Sequence, residues 1–147
     1  MTPSDEPLSE ARKWLREADK DLRAARLLLQ TDEPEPSRSV FHSQQAAEKA
    51  AKGYLVFRGA TFRRTHDLVL LGQQCADLDS TLEPIFKQAA DLTDYASMFR
   101  YPDAPYEPDS EEATRASETA ATVVREISTR VQPSKIALAD VQAAEPA

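Results

Sequence analysis

Apolar residues recur at spacings of three and four in five stretches of this chain, the period of a helix with one buried face. In the first, about Leu8 to Gln30, Ala11, Trp14, Leu15, Ala18, Leu22, Ala25, Leu28 and Leu29 form the stripe. Arg12, Lys13, Arg16, Glu17, Lys20 and Arg23 lie opposite, and Pro34 and Pro36 break the helix. The second, about Ser37 to Arg58, sets Phe41, Gln44, Ala47, Ala51, Tyr54 and Leu55 on one face, with Gly59 as its stop. Its small-sided middle, QQAAEKAAKGY, lets another helix approach closely, a packing reason for Gly53 against a cost of about 0.5–1 kcal/mol. Glu48 and Lys52 have the spacing of a favourable pair worth a few tenths of a kcal/mol.

A third, shorter helix is predicted from an N-cap at Thr65, with Leu68, Leu71, Cys75 and Leu78 inward. His66 and Asp67 fall in its first turn, and Gly72 weakens its middle. The fourth starts near Thr81, since Pro84 is tolerated only in a first turn. It buries Ile85, Phe86, Ala89, Leu92, Ala96 and Phe99 and ends at or just after Arg100, before Pro102. The fifth opens at Asp109, which has the spacing of an acid cap to Glu112. Ala113, Ala116, Ala120, Val123, Val124, Ile127 and Val131 continue its apolar face.

No stretch alternates as a strand does. The pattern therefore predicts an all-α, antiparallel bundle of about five helices, up and down, with the long helices joined by short connections. Residues 8–132 form the domain, 1–7 a flexible start, and 133–147, where periodicity weakens, a flexible or loosely docked tail. Only three glycines occur in 147 residues, which also favours helices. The single Cys75 excludes an internal disulfide and fits a reducing compartment. With no apolar leader segment and no stretch near 20 apolar residues, no membrane contact is expected and a cytoplasmic location is.

A net charge of −7 opposes a broad grip on nucleic acid. The charge is uneven, however: Lys49, Lys52, Arg58, Arg63 and Arg64 fall between Lys49 and His66 without one acid. Such a patch suits a compact anion, a nucleotide or a short piece of RNA, or else is simply solvated. Only His42 and His66 can supply an imidazole. No HExxH, cysteine pair, GxxxxGK[ST] or GxGxxG is present, so no metal or cofactor is expected. What remains is the basic helix end and loop with His66, together with FRYPD. If the ends of the second and fourth helices meet the start of the third, Arg100 joins that loop around one concavity. Arg100 otherwise serves as a cation at a helix C-terminus, worth about 0.3–1 kcal/mol.

The segments FHSQQAAEKAAKGYL, RTHDL and MFRYPD, in that order and on helices, resemble the HEPN domain over about Leu8 to Val131. The resemblance implies a helical bundle that usually forms homodimers. Proteins of this kind often act with a minimal nucleotidyltransferase in a two-component, toxin–antitoxin-like system, and the family name records a nucleotide-binding role. It implies a homodimeric subunit that binds a nucleotide or RNA through Lys52, Arg63, Arg64, His66, Arg100 and Tyr101. Many HEPN proteins are metal-independent ribonucleases with a histidine four to six residues after an arginine. Here Tyr106 stands about where that histidine would be after Arg100. Catalysis would then need His66 from elsewhere in the fold or from a second subunit. The remaining alternative is a purely structural helical dimer.

Overall fold

The computed structural model describes residues 6–62 and 64–133; Arg63 and the expected flexible tail after Pro133 lie outside them. Five α-helices carry the fold: α1 (Glu6–Leu27), α2 (Pro36–Phe57), α3 (Leu68–Leu78), α4 (Glu83–Ala89) and α5 (Ser110–Arg130). Three-residue-per-turn segments cover Ser80–Leu82 and Ala90–Ala96, and no strand occurs among the described residues.

The expected stripes make the core. Ala11, Ala18, Leu22 and Ala25 of α1 are buried against α2, whose Ala46, Ala47, Ala50, Ala51 and Leu55 are fully covered. Hydrogen bonds from Lys49 and His42 to Asp21, and from Ser39 to the Ala25 carbonyl, show α1 and α2 running antiparallel. A Cβ at Gly53 would lie 3.0 Å from that of Trp14 and 3.3 Å from the Ala11 carbonyl oxygen. Gly53 is thus a point of close approach between the two helices. Gly59, at φ 71°, follows the last turn of α2 in the left-handed region that glycine accepts without strain.

The later elements bring α5 back alongside α2. Arg58 at the end of α2 donates to the Leu78 carbonyl, and Arg130 at the end of α5 donates to Asp79. At the other end, Tyr95 contacts Glu112 of α5 and shares a cleft with the first turns of α2. So α2 and α5 run in the same direction and α1 opposes both. No described helix is long and apolar enough to cross a membrane.

Three expectations change. The cap of α3 is Asp67, whose side chain accepts from the Val69 amide, while Thr65 accepts one turn earlier from the Asp67 amide. His66 therefore precedes the helix. Leu78 is exposed rather than inward. The predicted fourth helix is α only to Ala89, where a tighter turn takes over to Ala96. Asp91, Thr93 and Asp94 are weak helix formers there, and the Thr93 hydroxyl accepts from the Leu68 amide at the open start of α3. Arg100 consequently sits in a turn beyond the helix, its amide donating to the Ser97 carbonyl, and is not a helix C-terminal cation.

Candidate functional site

The buried face of α2 carries charge. Glu48 is 4% exposed. One of its oxygens accepts from Gln44 at 3.0 Å and meets Nδ1 of His66 at 2.8 Å; the other accepts from Lys52 at 3.0 Å. Gln44 also donates to the His66 carbonyl, which pins the loop before α3 to α2. Lys52 lies 5.5 Å from the centre of the Phe62 ring and 6.0 Å from that of Trp14, two rings packed edge to face. The expected i,i+4 pair is therefore a buried ion pair with an aromatic lid, and the Lys52 charge is directed inward to Glu48.

Burial pushes the Glu48 carboxyl up, but the bonds from Gln44, His66 and Lys52, with the Lys52 charge, outweigh it and hold the group below its usual range. An ionised carboxylate only accepts, so Nδ1 of His66 carries the proton. In the neutral ring Nε2 is then an acceptor, on a side chain 71% exposed. This arrangement can take up or relay a proton at the surface. A second carboxylate, Asp21, likewise holds His42 at 2.8 Å and Lys49 at 2.6 Å. Among the described residues no group of three His, Cys, Asp or Glu side chains could hold a metal ion.

Arg100 lies elsewhere. It lines a cleft of about 230 Å³ with Arg38, Ser37 and Phe41 from the start of α2 and with Tyr95 and Phe99. Both arginines are exposed at its mouth. The positive end of the α2 dipole faces this region; no side chain caps it and no acid lies in its first turn, although the acid Glu35 stands at the N-cap position itself. Tyr95 and Phe99 stack at 6.0 Å, and Tyr106 meets Phe99 edge to face at 5.3 Å. The Tyr95 and Tyr106 hydroxyls both donate to Glu112 Oε2, at 2.6 and 2.7 Å. That bond raises the Tyr106 pKa, so its phenol stays protonated near neutral pH and is not available to accept a proton.

The expected residues thus divide. Lys52 and His66 meet at Glu48; Arg100 lines a cleft with Arg38, which the sequence did not single out; Arg64 and Tyr101 are exposed and take no part in the side-chain bonds of either cluster. At 1.5 Å per residue, the ten residues between Arg38 and Glu48 put the two groups about 15 Å apart along α2. The single concavity expected for Arg100 and the basic loop does not form, because the loop folds back onto the middle of α2 while Arg100 reaches its start. Three cations of the acid-free stretch are engaged internally: Lys49 by Asp21, Lys52 by Glu48, and Arg58 by the Tyr54 hydroxyl at 2.6 Å. Arg38 lay four residues before His42, but nothing in its spacing pointed at Arg100.

Comparison with known proteins bears on these clusters. The HEPN domain family model matches residues 11–130. The crystal structure of ST0689, an archaeal HEPN homologue, aligns with a TM-score of 0.64 at 23% identity, over 84% of this chain and 98% of that one, and shows the fold. A protein of Methanocaldococcus jannaschii named "Putative toxin MJ1304" is 44% identical over 55 residues, or 37% of this chain. The match spans 34% of that relative's length.

Proposed function

This chain belongs to the HEPN family, and from that premise we propose that it is a nucleotide- or RNA-binding subunit of a toxin–antitoxin-type system. The observation that carries the reading is the cleft that Arg38 and Arg100 line together with Phe41, Tyr95 and Phe99. Guanidinium groups match phosphate oxygens in charge and geometry, and aromatic faces accept a base. The volume, about 230 Å³, is below the roughly 300–1,000 Å³ of sites that enclose a drug-sized ligand. It suits one phosphate with a base at its edge, such as a strand end or a mononucleotide. The name of the Methanocaldococcus relative supports the toxin–antitoxin setting. In that setting the protein acts as a homodimer in the cytoplasm beside a minimal nucleotidyltransferase, and co-purification with such a partner tests the assembly.

Titration of the purified protein with AMP tests the cleft. Arg38→Ala and Arg100→Ala should each weaken binding tenfold or more, about 1.4 kcal/mol. Affinities equal to that of the unaltered protein would sink the reading.

A metal-independent ribonuclease is the second reading, supported by the Glu48–His66 pair with its accepting Nε2. Arg100 and His66 belong to separate clusters of one protomer, so this reading requires a second copy to bring them together. RNA cleavage without divalent metal that disappears in both Arg100→Ala and His66→Ala, with folding kept, would favour it over the binding subunit.

A further inference from the structure

On the far side of α1 a second cleft, about 530 Å³, separates α1 from α5. Arg12, Arg16, Lys20 and Arg23 line it, and Leu15 and Val124 contribute its apolar surface. All four cations are exposed, on a chain whose net charge is −7. Arg12 and Arg16 have no ion pair among the described residues. Lys20 holds Glu17 at 3.1 Å and Arg23 holds Asp19 at 3.5 Å, in pairs open enough to water to contribute little. Asp19 is the one acid in the lining.

We propose that this α1–α5 groove is a track for the phosphate backbone of single-stranded RNA. The proposal rests on the reading of the Arg38–Arg100 cleft as a nucleotide or RNA site and extends it from a strand end to a strand. Residues four apart on a helix repeat every 6 Å or so, and Arg12 to Arg23 spans about 16 Å, enough for roughly three phosphates in a row. No aromatic side chain lines the groove, so it offers charge without a stacking platform. It holds the backbone whatever the base. The direction of the track also fits. Ser39 of α2 donates to the Ala25 carbonyl at 2.7 Å, which sets the Arg23 end of α1 at the end of the bundle that carries Arg38 and Arg100. A strand laid along α1 runs toward the cleft.

The test is anisotropy of a fluorescein-labelled uridine-only RNA of about 12 nucleotides, titrated with the full-length protein at several salt concentrations. The comparison is the triple variant Arg12→Gln, Arg16→Gln, Lys20→Gln, its helicity checked by circular dichroism. Each phosphate contact on a single strand contributes about 0.7 to the slope of log affinity against log salt, so the triple variant should lose about 2 from that slope. Its affinity for AMP should not change. Equal slopes and affinities in the two proteins overturn the track, as does unaltered protein that binds AMP but no RNA. RNA binding that falls in Arg100→Ala and not in the triple variant overturns the track and leaves the cleft standing. RNA binding lost in the triple variant from a protein that takes up no AMP supports the track and removes the cleft. An acidic protein that co-purifies with the unaltered chain and not with the triple variant, while RNA titrations coincide, assigns the groove to a protein partner and overturns the proposal.

Discussion

Glu48 concentrates the residue-scale energetics of this protein. Its two oxygens hold a lysine and a histidine from opposite directions, and with a glutamine they join α2 to the loop before α3. Replacing it with glutamine keeps the shape but leaves the Lys52 ammonium, 9% exposed, with no counter-charge. Losing one partner of a buried pair typically costs about 3–5 kcal/mol, and Glu48→Gln should fall near 3 because the Trp14 and Phe62 rings still face the lysine. Urea unfolding measures it. The double change Glu48→Met, Lys52→Met should recover much of that loss, since no charge is then stranded. The acid limb follows from the same group. A carboxyl held below its unfolded value stabilises the fold above that value, about 4.3, and the contribution is lost as pH falls through the folded pKa. The unaltered protein should therefore lose stability more steeply below about pH 4 than Glu48→Gln does. Parallel acid curves would show that the Glu48 carboxyl titrates alike in the folded and unfolded chain, and would overturn the lowered pKa.

At the scale of elements, Gly72 tests how tightly α3 and α4 meet. A Cβ there would lie 2.6 Å from Cβ and 2.8 Å from Cγ of Phe86. Alanine is favoured over glycine inside a helix by about 1 kcal/mol, but overpacking of this kind costs about 1–3 kcal/mol. Phe86 is 4% exposed and its Cβ cannot swing away without moving α4, so Gly72→Ala should lower the melting temperature. A rise would mean that α4 yields. The spacing of small and polar residues alone reads Gly72 as a weak point, because the partner that requires it lies 14 positions away. The same distinction runs through the other elements. The stripes of α1, α2 and α5, the stop at Gly59 and the cap at Asp109, which accepts from the Glu112 amide, are local features and were legible. The α3 cap at Asp67 is itself local, made with the Val69 amide, whereas the bond from the Leu68 amide to Thr93, which ties the tighter turn after Ala89 to the start of α3, spans 25 positions and left no sequence signal. Glu48 had a visible signal, since it lies one turn from Gln44 on a face otherwise apolar. The meeting of Arg38 with Arg100 had none, because 62 positions of chain separate them and only the parallel course of α2 and α5 closes that distance.

The course of the whole chain explains why the proline-rich segment matters. After Arg100 the chain must travel from the end of the three-residue-per-turn segment to the start of α5, and it does so over Tyr101 to Pro108 beside the Arg38–Arg100 cleft. Few contacts fasten it. Tyr106 reaches Glu112 with its hydroxyl and Phe99 with its ring, while Tyr101 is 68% exposed. Glu112 also takes the Tyr95 hydroxyl, whose pKa is raised by burial first and by this bond second. One carboxylate thus ties both the cleft wall and the segment that borders it to the first turn of α5. Glu112→Ala removes both ties and leaves the core untouched, since Ala113, Ala116 and Ala120 still pack. Its expected signature is faster amide hydrogen exchange confined to about residues 95–107, with global stability reduced by no more than about 1–2 kcal/mol for the lost charge-assisted bonds. AMP affinity should fall with it, because Arg100 then samples positions away from Arg38 and binding must restore the order. Unchanged exchange across this segment would show that proline stiffness alone holds it, and unchanged AMP affinity alongside faster exchange would separate the cleft from its border.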